Sequence, residues 1–347
     1  MASVEGTIVV TGANGGLGSS IVTHIVQRPE LSSKYHGVFI VRNRDTATTL
    51  KGVLARAPTS FPHDAVSIDL TSLASVREGA KIINARVAEG SLPPIRALLI
   101  SAGCQESTTQ TFTTDGFDMT FQANYLSQFL LVLLLLQSLD KEHGRIVIVS
   151  GWNHDPADPR NQPGLFPGEE FKELFHDTES LAKGTWCNPK DDTSGVAGDR
   201  RYGAAHLCEV MFMHELQKRL SADPALSNIA VLGLDPGAMA TDICRRHPFM
   251  IRVFAMKILM PMMGSIMVRF SPNGFMRTPY KSASDVLRAA FDTETLGEKP
   301  KGIYLNGSDV WATSEESRDE AKREALWKDS IRFAKITEGE TVLKQWS

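Results

Sequence analysis

Short runs of β-branched and apolar residues alternate with longer stretches of helical periodicity through the first 150 positions. Thr7-Ile8-Val9-Val10 reads as a buried strand, and behind it Ile21, Val22, Ile25 and Val26 recur at helical spacing. Gly37 to Val41 predicts a second strand, running out into Arg42-Asn43-Arg44-Asp45. Ala65 to Ile68 predicts a third, followed by Asp69-Leu70-Thr71-Ser72 and a helix near 73–87. Ile95 to Ile100 predicts a fourth, closing on Ser101-Ala102-Gly103, and Arg145 to Val149 a fifth. Between these two, a helix over about 117–139 carries the unbroken apolar run Phe129 to Leu136. That run is too short to span a bilayer and reads as a buried core helix. Repeated strand–helix units of this length predict an α/β fold, a doubly wound parallel sheet with right-handed crossovers. Ligands in such sheets bind beyond the carboxyl ends of the strands.

The regular pattern stops at Gly151. From there to about Arg200 proline, glycine and acidic residues dominate (Pro156, Pro159, Pro163, Pro167, Glu169, Glu170, Asp191, Asp192). Beside an expected site, a stretch of this kind reads as a functional insertion or flap. Helical spacing returns over Tyr202 to Leu220, and Ile229 to Leu234 predicts a sixth strand ending in Asp235-Pro236-Gly237. Residues 246–281 form an apolar, methionine-rich segment, densest over 249–270, where Met250, Met256, Met260, Met262, Met263 and Met267 interleave with Arg252, Lys257 and Arg269. The charges and Pro261 argue against a spanning helix. Three readings stay open: a packing or lid segment, an adaptable pocket for an apolar substrate, and an amphipathic contact with a membrane surface. Residues 282–347 close the chain with a seventh strand, Gly302 to Leu305, and a charged amphipathic helix over 314–335 holding Leu326, Trp327 and Ile331. No repeat or linker separates an independent domain, so 1–347 reads as one domain with an insertion at 151–200 and a C-terminal substrate lid.

Composition narrows the class. The chain has 347 residues, 42% of them hydrophobic, and a net charge of −3, a balance that does not suit nucleic acid. Cys104, Cys187, Cys208 and Cys244 show no metal-ligand spacing and suit free thiols in a reducing compartment, so neither a metal site nor a disulfide framework is expected. With a strand starting this early, no cleaved leader is expected either. A cytoplasmic enzyme, soluble or held peripherally at a membrane, fits these features.

The stretch Thr11-Gly-Ala-Asn-Gly-Gly-Leu-Gly18 lies between the first strand and the first helix. Glycines there permit tight or positive-φ turns and bring a helix N-terminus, with its free N–H groups, against a pyrophosphate. Taken together, several motifs in order over about residues 5–245 resemble the short-chain dehydrogenase/reductase family, in its retinol-dehydrogenase-like branch with fungal-type extensions. They are Thr11-Gly12-x3-Gly16-x-Gly18, Asp69-Leu70, Ala102-Gly103 after a strand, Asn124 in the core helix, Tyr202, and Pro236-Gly237-x3-Thr241.

The resemblance implies a Rossmann-like fold and a nicotinamide dinucleotide. Gly12, Asn14, Gly16, Leu17 and Gly18 would hold the pyrophosphate. Ser101, Ala102, Gly103, Pro236, Gly237 and Thr241 would line the cofactor, with Thr241 at the carboxamide and Asp69 at the adenine amino group. Arg42 stands where an acidic residue would accept from a ribose 2′-OH, and an arginine there, assisted by Arg44, suits a 2′-phosphate, so NADP(H) is expected. The family's chemistry implies a proton-transferring tyrosine, Tyr202, and a relay asparagine, Asn124.

Two positions depart from that chemistry. The lysine four residues after the tyrosine is His206, still on the same helical face but without a permanent charge near pH 7. The serine after the fifth strand is Gly151, with Ser150 one position earlier and pointing to the other side unless the strand end twists. Ser150 is carried as the candidate hydroxyl, with Thr185 and Ser194 of the insertion as alternatives. Ser101 and Ser127 stand where an asparagine and a glycine are usual. The expected function is NADPH-dependent reduction of a ketone or aldehyde in a bulky apolar small molecule, in secondary metabolism, with Tyr202 as proton donor. Loss of the lysine and serine also suits a non-redox cyclisation or isomerisation, or an NADP(H)-binding scaffold with little activity. Many relatives assemble as dimers or tetramers, and a homo-oligomer is among the expectations.

Overall fold

The computed structural model describes residues 4–190, 192, 194–241, 243 and 260–347. Eight strands form one sheet: β1 Gly6–Thr11, β2 Tyr35–Val41, β3 His63–Ser67, β4 Ile95–Ile100, β5 Arg145–Val149, β6 Ala230–Asp235, β7 Tyr304–Asn306 and β8 Asp309–Val310. Their order is β3-β2-β1-β4-β5-β6-β7-β8, parallel throughout except for β8, which pairs antiparallel with β7. This is the doubly wound, Rossmann-like α/β sheet the pattern implied. The order reverses between β1 and β4, and the carboxyl ends of β1, β4 and β5 meet there.

Helices cover both faces. Gly16–Gln27, Thr48–Leu54 and Pro279–Phe291 pack on one side around Ile8, Val10, Phe39 and Leu99. On the other, Leu73–Ala88, Met119–Ser138, Ala197–Ala222 and Glu320–Ala334 pack around Val9, Leu98, Ile146 and Trp327. Residues on both faces of β1 are fully buried, which is why its sequence reads as a continuous apolar run rather than an alternating one. Met119–Ser138 is long and apolar enough to cross a bilayer, but 94% of its apolar window is buried inside the protein, as expected of a core helix.

The structure corrects several boundaries. The third strand starts at His63, where pairing with Gly37 of β2 satisfies polar residues that carry no apolar signal. The helix expected from Tyr202 begins at Ala197, its first turn seated against the Ser107 carbonyl through the Gly198 N–H. The seventh strand is Tyr304–Asn306, and β8 and the helices Thr48–Leu54 and Pro279–Phe291 had no counterpart in the pattern. The C-terminal helix is two, Glu315–Arg318 and Glu320–Ala334, broken at Asp319, which is extended and caps the second through Lys322 N–H.

The described residues of the insertion include three short helical elements and contacts to the rest of the chain. The elements are short turns at Trp152–His154 and Glu169–Phe171 and a helix at Thr178–Lys183. Glu316 accepts from the N–H groups of Leu174 and Phe175 at 2.9 Å each, tying the insertion to the C-terminal helices. In the methionine-rich segment, Met260–Phe270 is a helix in which Met262, Ile266 and Phe270 are exposed. The readings that involve Cys244, Met250, Arg252, Met256 and Lys257, and the acidic Asp191, lie outside the described residues.

Candidate active site

The glycine stretch makes a cradle with no space for side chains. Gly12 has φ +68°, and a Cβ on it would fall 2.8 Å from the Ala102 Cα. A Cβ on Gly16 would lie 2.6 Å from the Thr241 Cγ2, and one on Gly18 would lie 2.2 Å from the Gly12 carbonyl oxygen. Gly15 caps the Gly16–Gln27 helix with no side-chain bond, so the first N–H groups of that helix have no capping side chain to satisfy them. Asn14 anchors the loop sideways, its Oδ1 accepting from the Leu50 N–H at 3.0 Å. Thr11 Oγ1 accepts from the N–H groups of Ser101 and Ala102, and the Ser101 hydroxyl donates to the Thr11 carbonyl at 2.6 Å. Ser101 thus fastens β4 to β1.

One cavity of about 860 Å³ runs from this cradle across the carboxyl ends of the strands. Gly12, Asn14, Gly16, Leu17, Gly18, Arg42, Ser101, Ala102 and Gly103 line it, as do Asn124, Ser150, Tyr202, His206, Pro236, Gly237 and Thr241. Arg44 and Asp69 are not among its lining residues. Arg44 sits in the turn Arg44–Thr46 with its backbone N–H on the Ser67 hydroxyl. Asp69 is engaged with Thr71, accepting from its N–H at 3.0 Å and its hydroxyl at 2.8 Å, and lies 3.7 Å from the Arg42 guanidinium. Arg42 is the basic group at the far end of the cavity.

At the other end, the Ala197–Ala222 helix presents Tyr202 and His206 one turn apart, their ring centroids 4.2 Å from each other. Asn124 lies in a π-helical turn, Gln122–Leu126, inside the core helix. Its Oδ1 accepts from the Cys104 N–H at 2.7 Å and its Nδ2 donates to the Cys104 carbonyl at 3.0 Å. The extra residue of such a turn re-aims a side chain, which is how Asn124 reaches the backbone beyond β4. Ser127 fills its position by donating to the Leu70 carbonyl at 2.7 Å.

His206 is buried, and burial first, then the neighbouring His154, holds its imidazole down to about 3, so it is neutral at physiological pH. Its Nδ1 lies 2.5 Å from the Asn153 Oδ1. With an amide oxygen as partner, the ring proton sits on Nδ1, and Nε2 is left as an acceptor. His154 braces the same turn: its Nδ1 donates to the Gly151 carbonyl at 2.7 Å, while its Nε2 accepts from the Ser314 N–H. A Cβ at Gly151 would collide with the His206 ring, at 2.6 Å from Nδ1. Ser150 donates to the His206 carbonyl at 3.2 Å and is buried between helix and sheet. Its hydroxyl is therefore held by the helix backbone. Thr185 and Ser194 are not among the residues lining the cavity.

Sequence reasoning missed four contributors. Asn153 holds the His206 ring, and Glu209 stands one further turn along the same helix. Arg160, from the insertion, donates to Asp235 at the end of β6 at 2.7 Å and to Asp158 at the same distance. It thereby clamps the insertion over the site. Trp152 stacks edge-on with Phe275 at 5.0 Å, and both line the cavity that Tyr202 lines, as do Leu165, Met239 and Met260. Glu209 had a signal, a third polar position at helical spacing from Tyr202. Asn153 and Arg160 had none, because they belong to an irregular segment.

Comparison with known proteins supports the same organisation. The family pattern for short chain dehydrogenases matches residues 6–156. The chain is 46% identical over 362 aligned positions to the short-chain dehydrogenase iccH of Talaromyces variabilis, covering 99% of each protein. It is 25% identical to the WW domain-containing oxidoreductase of Danio rerio, covering 94% of this chain and 68% of that one. Among solved structures, an NADPH-bound carbonyl reductase from chicken fatty liver superposes with a TM-score of 0.56 at 18% identity, covering 90% of this chain and 100% of the other. That last likeness is one of fold.

Proposed function

The chain belongs to the short-chain dehydrogenase/reductase family, and from that premise we propose that it is an NADPH-dependent reductase of a ketone or aldehyde in a bulky, largely apolar small molecule. The observation that carries this reading is that the glycine cradle, Arg42 and Tyr202 line one continuous cavity. The cradle fits a dinucleotide: it is closed by glycines at which a Cβ would collide with Ala102, Thr241 or the Gly12 carbonyl, so the backbone packs tightly, and a helix N-terminus without a capping side chain borders the cavity. Gly12, Gly16 and Gly18 would hold the pyrophosphate and Arg42 the 2′-phosphate, with Thr241 above the loop. A bound nicotinamide would supply hydride to the carbonyl carbon.

The protein's own part is positioning and proton delivery. Trp152, Leu165, Met239, Met260 and Phe275 exclude water and seat the apolar body of the substrate. Tyr202 gives its phenol proton to the carbonyl oxygen as charge develops there. Asn124, fixed by both of its bonds to Cys104, holds the backbone beyond β4 and orders water for proton return. In the oxidative direction Tyr202 would need to start as a phenolate beside a His206 that is neutral at rest. Reduction is the favoured direction. Purified protein with NADPH and a panel of aromatic and polyketide-like carbonyls is expected to consume NADPH, followed by absorbance at 340 nm. Tight NADPH binding without turnover on any carbonyl would overturn the reading.

A second reading has a specific observation behind it. Gly151 stands at the family's usual serine position, and the Ser150 hydroxyl donates to the His206 carbonyl, which favours acid–base chemistry without hydride transfer, such as cyclisation or isomerisation. A product of unchanged mass, formed with no cofactor consumed, would select it.

A further inference from the structure

Tyr202, His206 and Glu209 stand at i, i+4 and i+7 of the Ala197–Ala222 helix, and all three line the cavity. The chemistry described above gives Glu209 no task. Yet its Oε2 is buried without a hydrogen-bond partner and lies 3.9 Å from His206 Nε2, the ring nitrogen left as an acceptor. The groups facing Glu209 are His206 and Cys208 on its own helix, Ser150 at the end of β5 and Tyr304 on β7, with His154 behind the imidazole. None of these is a lysine or arginine that would favour a carboxylate. Burial raises the Glu209 carboxyl well above its ordinary range, opposed only by the Ser150 hydroxyl. At rest the proton therefore stays on Glu209, because burial holds the facing imidazole down to about 3, and it can cross to Nε2 only when a negative charge forms beside the ring and raises it.

We propose that Glu209 and His206 form a proton-sharing pair behind Tyr202, with Glu209 storing the proton and His206 receiving it when the tyrosine becomes a phenolate. The proposal rests on the reductase reading for its catalytic part. When Tyr202 passes its phenol proton to the substrate oxygen, the O–H bond of the tyrosine breaks and a phenolate remains. The Glu209 O–H bond then breaks as the His206 Nε2–H bond forms, giving a carboxylate and an imidazolium. The positive ring stands beside the phenolate, supplying on demand the charge that a permanent cation would give. One proton taken from solvent restores the phenol, and the imidazolium returns its proton to Glu209. Atoms and charge balance, with one solvent proton consumed per turnover. Glu209 is a positioning residue in this scheme, acting through His206.

The test uses the full chain, its Glu209→Gln and Glu209→Asp variants, and two readouts besides activity. Difference infrared spectroscopy of the protein without cofactor should show a buried carboxylic-acid band near neutral pH that Glu209→Gln removes. Nitrogen NMR of the His206 ring should show Nε2 shifted on the same substitution. With a reducible carbonyl, Glu209→Gln should lower kcat at least tenfold, leave KM for NADPH unchanged and shift the pH profile of kcat. Glu209→Asp keeps the acid at a longer reach and should recover part of that loss. It also keeps the test decisive if the glutamine variant fails to fold. Loss of the band with kcat and its pH profile unchanged would overturn the relay while leaving the reductase reading intact. A wild type with the band and the nitrogen shift but no turnover would overturn the reductase reading and leave the pair standing. Absence of both spectroscopic signatures would overturn the pair.

Discussion

The His206 imidazole occupies the volume that a side chain at Gly151 would need: a Cβ there would lie 2.6 Å from Nδ1 and 2.7 Å from Cε1. The two departures from the family's usual residues are therefore one steric event. Once a ring stands at 206, position 151 must be glycine, and Asn153 takes up the ring nitrogen. Gly151→Ser alone should cost about 1–3 kcal/mol, the usual range for overpacking a filled site. Combined with His206→Lys, which removes the ring, the cost should be less than the sum, with a coupling of about 0.5–3 kcal/mol. Urea denaturation of the four proteins in the cycle measures this. Strictly additive costs would show that the two positions do not compete for space.

Gly16 offers a cleaner probe of the cradle than Gly12 or Gly18. Its missing Cβ would meet the Thr241 side chain, whereas a Cβ on Gly18 would meet the Gly12 carbonyl within the loop itself. Gly16→Ala should therefore weaken dinucleotide binding by about tenfold or more, roughly the 1.4 kcal/mol that one badly fitting contact removes. The melting temperature without ligand should fall less than with Gly18→Ala, because the Gly16 Cβ would meet Thr241 Cγ2 and Cβ at 2.6 and 2.7 Å, whereas the Gly18 Cβ would meet the Gly12 carbonyl oxygen at 2.2 Å. Gly18→Ala should lower both. Fluorescence titration of NADPH against thermal unfolding separates the two, and equal behaviour of the variants would refute the distinction.

Arg42 is 62% exposed at its side chain and lies 3.7 Å from Asp69. A pair that open adds little to stability, so its value lies in what it presents to the cavity. Arg42→Ala should reduce affinity for NADPH by about 10- to 100-fold, the range for losing a hydrogen bond to a charged group, and leave NADH affinity nearly unchanged. Isothermal titration with both dinucleotides checks it. A parallel loss for both would mean that Arg42 contacts neither phosphate selectively. Arg44, outside the cavity lining, should show no such discrimination.

Much of the fold was legible because parallel strands buried on both faces announce themselves as apolar runs: Ile95–Ile100 and Arg145–Val149 were placed at their true limits. His63–Ser67 was misplaced at its start because its first residues are polar and only partly buried, so backbone pairing alone defines them. The cradle was legible because glycine spacing is local. The reacting end was legible only in part. Tyr202 and His206 share a helix and a period, but Asn153 reaches His206 across 53 residues of sequence, from a segment with no period at all. Arg160 likewise meets Asp235 across 75 residues. Such contacts are set by the path of the insertion, which no hydrophobic pattern encodes.

The Arg160–Asp235 contact carries its own prediction. Asp235 is fully buried at its side chain, and Arg160 is the guanidinium that reaches its Oδ2. Removing one partner of a buried pair costs up to about 3–5 kcal/mol, part of it offset here by Arg277, which donates to the Asp235 carbonyl at 2.8 Å, and by the Gly237 N–H on Oδ1. Arg160→Ala should therefore lower the unfolding midpoint markedly and loosen the insertion, read as faster amide exchange over 152–166. A silent substitution would mean that water replaces the guanidinium without loss.

The buried histidines and Glu209 set opposing pH dependences. Burial first holds His206 down to about 3 and His214 down to about 4, against about 6.5 in an unfolded chain. Between pH 6.5 and 4 the unfolded state therefore binds more protons at these rings than the folded state does. Stability from them is fully present above pH 6.5 and is lost as pH falls through that window. Glu209 acts the other way: its carboxyl is raised well above 4.5, so above that pH the folded state holds a proton that the unfolded state has released. Its contribution to stability is present at low pH and is lost as pH rises. Each proton is worth about 1.4 kcal/mol per pH unit. His206→Asn should flatten the acid loss of stability by up to one proton between pH 6.5 and 4, whereas Glu209→Gln should steepen the rise of stability with pH above 4.5. Urea midpoints taken at half-unit steps from pH 4 to 8 compare the variants on a common background, in which every other shifted carboxylate and imidazole cancels. Parallel curves for all three proteins would mean that neither group changes its protonation on folding.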